Sequence, residues 1–469
     1  MTSMAIITTL AAPSTSTNQV KPTFLLSRQI LTLPYFIGLA RVLEASAKDA
    51  AYDSLGRHPP SKCHPGTRRY ILKTIERWIS NTAESGVFWL HGPAGAGKSA
   101  IAQTICETSA ERGHLLASFF FMRGSPDRGT IRNFIPTLAF QVGMSRTNLR
   151  QPIGNALEAD PGILHRSTSR QLLKLIVEPL QSSTPSQSAP FLVVIDGLDE
   201  CEGKDHQLQI LSHISELVTK YRLPVRCLIV SRPEPHIKHF FDLSINQNNS
   251  IAFSIYGHGA EHGDVYKFLR SKFDEISVSE SHAATLARIH KPWPSDNIVR
   301  LLARKSDGYF IYASTLLKYI DDEFSPCTKR LQEVLQATGP ASTVFAELDK
   351  LYTQILSTCP NIQLLPRALG CLILLPKYDL FQTPQTIERV LELWPGEGMT
   401  ILRGLHAILN FGPKIVTPIH ASLSDFLVDE SRSNKFYIDP QICHVDIMLH
   451  ILRSITHFSQ WEPKEGDRE

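Results

Sequence analysis

Residues 87–99 read Val-Phe-Trp-Leu-His-Gly-Pro-Ala-Gly-Ala-Gly-Lys-Ser, a short apolar run followed by a glycine-rich loop. The first five residues are typical of a buried strand, because they are mostly apolar and rich in strand formers. The remaining eight match the pattern Gly-x-x-x-x-Gly-Lys-Ser, in which glycines allow successive backbone N–H groups to converge on phosphate oxygens. The sequence therefore predicts a phosphate-binding loop, with a chance loop as the alternative.

Single positions of this loop have separate chemical tasks. Lys98 supplies a positive charge for β- and γ-phosphates, and the Ser99 hydroxyl joins the shell of a Mg²⁺ ion. The predicted helix that follows directs the positive end of its dipole at the same phosphates. The residues expected to contact a bound nucleotide, ATP/ADP or GTP, are Gly92, Pro93, Ala94, Gly95, Ala96, Gly97, Lys98 and Ser99.

A second apolar run, Phe191–Ile195, ends in the acidic sequence Asp196-Gly197-Leu198-Asp199-Glu200. An acid at the tip of a buried strand is well placed to hold Mg²⁺, directly or through water, so we assign this role to Asp196. Asp199 and Glu200 are candidates for orienting or deprotonating an attacking water. The alternative is a solvated acidic turn after a core strand.

Three further apolar runs complete the predicted sheet: Leu115–Phe121, Arg226–Val230 and Ile251–Ile255. Helical segments separate the runs, and this alternation is typical of a parallel sheet with helices on both faces. Arg232 follows the fourth run, at the sheet edge where ligands bind in such folds. It is therefore a candidate sensor of the γ-phosphate, with a plain surface arginine as the alternative. Arg123, after the second run, is a weaker candidate of the same kind.

Composition limits the remaining classes of function. A net charge of +3 without a long basic run gives no indication of a nucleic acid or a membrane surface as partner. No apolar run reaches the roughly 18 residues that a spanning helix needs. The eight cysteines form no Cys-x-x-Cys pair, which predicts reduced thiols and a cytoplasmic protein.

The domain prediction divides the chain into six segments. Residues 1–41 are a disordered tail rich in Ser and Thr, for which an organellar transit peptide is the alternative. The others are a helical lead-in and linker (42–66), the P-loop domain (67–260), a helical domain (261–360), a winged-helix domain (361–440), and a C-terminal helix and tail (441–469).

The winged helix is predicted from its last elements. Helices, among them Thr400–Leu409, precede a strand at Lys414–His420, a helix at Ser422–Glu430 and a strand at Lys435–Ile438. Because the helix carries acidic rather than basic side chains, DNA binding is not expected.

These motifs together resemble a known family. The phosphate loop, the sequence Asp-Gly-Leu-Asp-Glu and the later Ser231-Arg232-Pro233 resemble a NACHT domain, a branch of the signal-transduction (STAND) P-loop NTPases. The stretch Cys63–Arg68, with the helix after it that ends in Trp78-Ile79, resembles the nephrocystin 3-like N-terminal domain of fungal NLR-like proteins. The resemblance covers residues 40–440 approximately.

The resemblance implies a switch that rests closed with ADP and opens with ATP, often as a homo-oligomer, with slow hydrolysis that resets it. It also implies that His420, in Ile419-His420-Ala421-Ser422 followed by Asp425-Phe426-Leu427, contacts the ADP β-phosphate. The alternative is a buried histidine bonded to backbone.

The chain also departs from this family. Relatives usually continue into repeats, and no period of 20–50 residues is found here. We therefore expect a minimal switch that works with unknown protein partners, or a shortened gene product. Two other functions stay open: an AAA+-like ATPase motor, and a non-catalytic nucleotide-binding interaction scaffold.

Overall fold

The computed structural model describes residues 34–81, 83–183, 190–255, 262–322, 325–336, 345–374, 383–412 and 415–459. It opens with the helix Pro34–Glu44. This helix begins inside the predicted tail, so the boundary at residue 41 is wrong; the rest of the tail prediction lies outside the described residues. Tertiary packing explains the error, because Leu39 and Val42 are buried and a Cβ on Gly38 would lie 3.0 Å from the Gly154 Cα.

Five parallel strands form a central sheet in the order β2-β3-β4-β1-β5. The strands are β1 Val87–His91, β2 Leu115–Phe120, β3 Phe191–Asp196, β4 Val225–Ser231 and β5 Ser250–Ser254. They coincide with the five predicted runs, which confirms the parallel sheet. Because β4 lies between β1 and β3, the loops that follow these three strands meet at one edge of the sheet.

Successive strand residues enter two apolar cores on opposite faces of the sheet. Phe88 and Leu90 pack in one core with the helices Arg69–Ser80 and Lys98–Glu111. Val87 and Trp89 enter the other, larger core. The other helices of this part of the chain are Phe134–Ser145, Thr147–Ala159, Thr168–Leu172, Glu178–Ser183, Lys204–Thr219, Pro235–Asp242 and Ser244–Gln247. Residues 34–255 are called the sheet half below.

Residues 262–459, called the helical half, are mostly α-helical. The helices are His262–Val278, Ala283–Leu286, Asp296–Lys305, Phe310–Ile320, Cys327–Gln336, Ala346–Leu356, Leu365–Leu374, Pro384–Val390, Glu397–Leu402, Ala421–Leu427, Glu430–Ser433 and Pro440–Ser459. One apolar core runs from Val265 to Ile447. The segments predicted as a helical domain and a winged helix therefore share a single core.

A short antiparallel hairpin interrupts these helices. Its strands are β6 Leu409–Phe411 and β7 Val416–Pro418. β7 lies inside the strand predicted at 414–420, whereas the helix predicted at 400–409 ends before β6. The strand predicted at Lys435–Ile438 is wrong, because residues 434–436 form a 3₁₀ turn. Phe436 and Ile438 are buried, so their alternation reflects core packing rather than strand pairing.

The cysteines are packing residues rather than cross-links. All eight are free thiols, and seven of them are buried. Burial raises the pKa of Cys227 to about 12, because a thiolate in the core would be desolvated. In the part of the chain that the structure describes, no helix is both long and apolar enough to cross a membrane.

Candidate functional site

The phosphate loop joins the carboxyl end of β1 to the helix Lys98–Glu111. Gly95 and Gly97 have φ angles of +74° and +88°, a left-handed backbone that side chains disfavour and glycine adopts freely. The left-handed backbone at these two glycines leads the loop to the first residue of the helix. The first backbone N–H groups of a helix have no partner within it and attract anions. The strand, loop and helix thus have the geometry that the sequence predicts for phosphate binding.

Two basic side chains hold the loop in shape. Lys98 Nζ donates a hydrogen bond to the Pro93 carbonyl oxygen at 2.8 Å, inside the loop. Burial lowers the pKa of Lys98, and the nearby carboxylates of Asp199 and Asp196 act in the opposite direction. Arg68 Nη2 donates to the Ala96 carbonyl oxygen at 2.7 Å. The loop backbone is therefore supported from within and from the segment that precedes β1.

Asp196, at the end of β3, is buried next to Ser99. The Ser99 side chain hydrogen-bonds the Asp196 carboxyl group, whereas Asp196 Oδ1 has no hydrogen-bond partner among the residues that the structure describes. The pKa of Asp196 is raised to about 6, because the effect of burial outweighs the Ser99 hydrogen bond and the Arg57 charge, which both lower it. A hydroxyl beside a buried carboxylate oxygen with unused acceptor capacity is a donor set that suits Mg²⁺. The residues present therefore fit the predicted ion.

The two acids that follow contact arginines at neighbouring strand ends. Asp199 Oδ1 accepts a hydrogen bond from the Arg232 backbone N–H at 2.9 Å, and Asp199 Oδ2 lies 3.3 Å from Arg232 Nε. Glu200 Oε2 accepts from the Arg123 backbone N–H at 3.0 Å. The structure thus brings the candidate catalytic residues Asp199, Glu200 and Arg232 together, with Asp199 occupied by Arg232 in this conformation.

One carboxylate of the helical half contacts the same two arginines. Asp425 Oδ2 lies 2.8 Å from Arg232 Nη1, and Asp425 Oδ1 lies 3.4 Å from Arg123 Nη1. Asp425 belongs to the helix Ala421–Leu427, which is far from both arginines in sequence. This helix is therefore joined to the sheet half by ionic contacts at the carboxyl edge of the sheet.

His420 caps the N-terminus of the same helix. Its Nδ1 accepts a hydrogen bond from the Ser422 backbone N–H at 3.1 Å, so the proton of the neutral ring is on Nε2. Burial, together with the charges of Lys98 and Arg232, lowers the pKa of His420 to about 4. His420 is thus a neutral imidazole near Lys98 of the phosphate loop, with its ring proton on Nε2.

A hydrogen-bond relay at Nδ1 holds the His420 ring in its orientation. Ser422 Oγ lies 2.7 Å from His420 Nδ1, and the Tyr352 hydroxyl lies 2.8 Å from Ser422 Oγ. Because Nδ1 is an acceptor, the order of donation runs from Tyr352 to Ser422 to His420. The helix Ala346–Leu356 therefore orients a side chain beside the phosphate loop.

A second contact of the helical half lies at Gly95 of the loop, and apart from one backbone hydrogen bond it is apolar. The Ile311 backbone N–H donates to the Gly95 carbonyl oxygen at 3.3 Å. A Cβ placed on Gly95 would lie 2.1 Å from Ile311 Cγ2, so the two backbones approach as closely as glycine permits. Phe310, the preceding residue, packs under the Arg68 guanidinium at 5.0 Å.

Sequence reasoning assigned no site role to Arg57, Arg68, Ile311, Tyr352 or Asp425. The signal for Arg68 was available, because a basic residue directly precedes the amphipathic helix Arg69–Ser80. Arg57 lies in a stretch interpreted only as a linker, yet its guanidinium stacks 3.6 Å from the centre of the Phe120 ring and its charge acts on Asp196. Ile311 carries no local signal, and Asp425 was noted only as part of the sequence pattern around His420, because the contacts of both residues depend on how the two halves pack.

Comparison with known proteins gives one family match, which covers part of the sequence. Residues 66–232 match the family described as Nephrocystin 3, N-terminal. No curated protein matches the chain.

Two solved structures align with much of this chain at low identity. A signal transduction ATPase with numerous domains (STAND) protein with a tetratricopeptide repeat sensor, from Pyrococcus horikoshii, shares 12% identity over 81% of this chain and 45% of that chain, with a TM-score of 0.44. Cdc6p from Pyrobaculum aerophilum shares 14% identity over 84% of this chain and 97% of that chain, with a TM-score of 0.36. The present chain thus spans less than half of the length of the Pyrococcus protein. The family likeness to nephrocystin 3 covers the phosphate loop, the acidic strand and Arg232.

Proposed function

We propose that this chain is a nucleotide-operated switch of the NACHT or STAND type. It binds ATP or ADP, with GTP as the alternative, together with Mg²⁺ at Gly92–Ser99, and hydrolyses the triphosphate slowly. One observation carries the proposal: His420 and Asp425 of the helical half lie beside the charged groups of the phosphate site. A bound nucleotide that changes the charge at the phosphate site changes the contacts between the two halves. Coupling between nucleotide binding and conformation requires such a difference in contacts. The match to the nephrocystin 3 N-terminal family supports the nucleotide-binding part.

In this proposal each side chain has one task. Lys98 binds the β- and γ-phosphates, and Ser99 with Asp196 holds Mg²⁺, which when bound neutralises phosphate charge. Glu200 orients the attacking water, while Asp199 positions Arg232 as the sensor of the terminal phosphate. His420 donates Nε2–H to the β-phosphate of ADP and so favours the closed form.

The same proposal covers the assembly of the chain. Residues 361–440 form a winged helix, a view that the helices followed by the hairpin β6–β7 support. The ATP-bound chain forms a homo-oligomer and acts on protein partners in the cytoplasm.

The nucleotide that copurifies with the protein tests the proposal. We expect tightly bound ADP, released by denaturation and identified by mass spectrometry. Lys98→Ala should lower nucleotide affinity at least about a hundredfold, since it removes the charge that binds the phosphates. Lys204→Ala, at an exposed lysine outside the site, is the matched control. Wild-type protein that binds neither ADP nor ATP at millimolar concentration would refute the switch.

Turnover separates the switch from the two other functions. Many hydrolytic cycles per second without a stimulus would indicate an AAA+-like motor. If replacing Asp199 and Glu200 together by their amides leaves turnover and assembly size unchanged, the protein is a scaffold that binds nucleotide for stability alone. The switch predicts slow turnover that falls in this double variant.

A further inference from the structure

Two arginines, at the ends of the strands on either side of β3, converge on the single carboxylate of Asp425. Arg123 follows β2 and Arg232 follows β4, and these two strands flank β3, which ends in Asp196. Arg232 Nη1 contacts one Asp425 oxygen at 2.8 Å, and Arg123 Nη1 lies 3.4 Å from the other. The carboxylate therefore bridges the two strand ends on either side of the proposed Mg²⁺ ligand.

We propose that Asp425 occupies the place of the terminal phosphate of a bound triphosphate. Guanidinium groups bind carboxylates and phosphates through the same oriented N–H donors, so the two anions compete for Arg123 and Arg232. A diphosphate lacks the group that would compete, and Asp425 then stays in place. Asp425 is thus the residue that sets the preference of the closed chain for a diphosphate over a triphosphate. This inference rests on the proposed function, because it assumes that a nucleotide binds at Gly92–Ser99.

The burial of the groups suits an exchange of anions. The side chains of Arg232 and Asp425 are 20% and 25% exposed, so water and salt reach the pair and weaken it. Asp199, whose side chain is only 4% exposed, binds Arg232 from the other side. The guanidinium of Arg232 therefore stays positioned when Asp425 leaves, and it is ready for the phosphate.

Release of Asp425 also affects the contact to the β-phosphate. His420 is the N-cap of the helix that carries Asp425, and Lys98 lies close enough to His420 to lower its pKa. Because one short helix carries both side chains, displacement of Asp425 by a terminal phosphate withdraws His420 from the loop as well. One exchange of anions then opens two contacts between the halves.

Paired affinity measurements test the inference. Binding of ADP and of a non-hydrolysable ATP analogue, each with Mg²⁺, is measured for the full chain and for Asp425→Asn. The variant should bind the ATP analogue about tenfold more tightly relative to ADP, a coupling of ordinary size, because the competing charge is gone. Asp425→Ser provides a second neutral side chain in case the first variant does not fold. Glu430→Gln, which removes an exposed carboxylate from the next short helix, should change the ratio less than about twofold.

The outcomes distinguish this inference from the proposed function. If a folded Asp425→Asn or Asp425→Ser variant has the same ratio of ATP-analogue affinity to ADP affinity as the wild type, the proposed role of Asp425 is overturned. Nucleotide binding itself would remain intact. The same change in Glu430→Gln also overturns it, since the effect would then be general electrostatics. If the wild-type chain binds neither nucleotide, the proposed function itself fails. Two results together support the exchange of Asp425 for the terminal phosphate. Asp425→Asn has a raised ratio of ATP-analogue affinity to ADP affinity, and small-angle X-ray scattering gives it a larger radius of gyration in ADP.

Discussion

The helical half contacts the phosphate site in two regions that differ in chemistry. At Gly95 the contact is apolar and depends on shape, because Ile311 packs against the loop backbone. At Arg232 the contact is ionic, through Asp425, with the neutral His420 beside it. A nucleotide brings negative charge, which competes with a carboxylate but not with an isoleucine. We therefore expect the ionic region to open and the apolar region to persist as the hinge.

Breaking the apolar region should have the largest effect on stability. Gly95→Ala adds a Cβ within 2.1 Å of Ile311 Cγ2 at a residue with φ of +74°, so it combines a clash with backbone strain. We expect a loss of about 3 kcal/mol in the free energy of unfolding, measured by denaturant titration without nucleotide.

Gly113→Ala is the matched control for this variant. Gly113 has a similar φ of +70°, but a Cβ there would meet nothing within 4 Å, so only strain remains, about 1 kcal/mol. Adding Ile311→Ala to Gly95→Ala should recover part of the excess loss, because the clash disappears. Equal losses in the two single variants would show that Ile311 does not restrict the loop.

Mg²⁺ binding at Asp196, next to the ionic region, should be sensitive to pH. Asp196 must be ionised to bind Mg²⁺, and burial raises its pKa to about 6. As pH falls through this value, protonation competes with the metal, so Mg²⁺-dependent nucleotide affinity should drop about tenfold per pH unit below 6. Titration calorimetry between pH 5 and pH 8 measures this dependence.

Asp196→Asn provides the comparison, because it keeps the shape and removes the titration. The slope that remains in this variant belongs to the phosphates of the nucleotide. If wild type and Asp196→Asn have the same pH dependence, Asp196 is not the metal ligand.

A smaller effect is expected at the relay behind His420. Tyr352→Phe removes the hydroxyl that donates to Ser422, so the ring loses one of the groups that fix it. ADP affinity should fall about three- to tenfold, the usual size for one hydrogen bond, with a smaller change for the ATP analogue. Nitrogen NMR shifts of His420 should show that the share of the Nε2–H tautomer falls.

Tyr312→Phe, at another buried tyrosine of the helical half, controls for general loosening of the core. The relay would be contradicted if both variants weakened ADP and the ATP analogue to the same extent and left the His420 tautomer unchanged.

The sheet half was largely predictable, because each strand of a parallel sheet is buried on both faces and reads as a continuous apolar run. Asp196 and Arg232 could be placed for the same reason, since Asp196 ends one strand and Arg232 directly follows another. The phosphate loop was predictable from its glycines and Lys98 alone. At these positions the candidate functional residues can be identified from the sequence immediately around them.

The helical half was less predictable, because its elements depend on packing between distant residues. Phe436 and Ile438 alternate as in a strand, yet they fill a helical core. The bond between Asp425 and Arg232 spans 193 positions of the chain, and no local pattern marks it. The contact that we expect to operate the switch is therefore the one that required the structure.

Hydrogen–deuterium exchange follows the apolar and the ionic region in one experiment. The full chain is compared with ADP and with Mg²⁺ and a non-hydrolysable ATP analogue. The account predicts faster exchange with the ATP analogue in residues 415–427, which lose their contacts to the sheet half, and unchanged exchange in residues 309–314, whose Ile311 amide stays bonded to Gly95. Equal exchange in both nucleotides at both segments, or faster exchange at Ile311 alone, would contradict it.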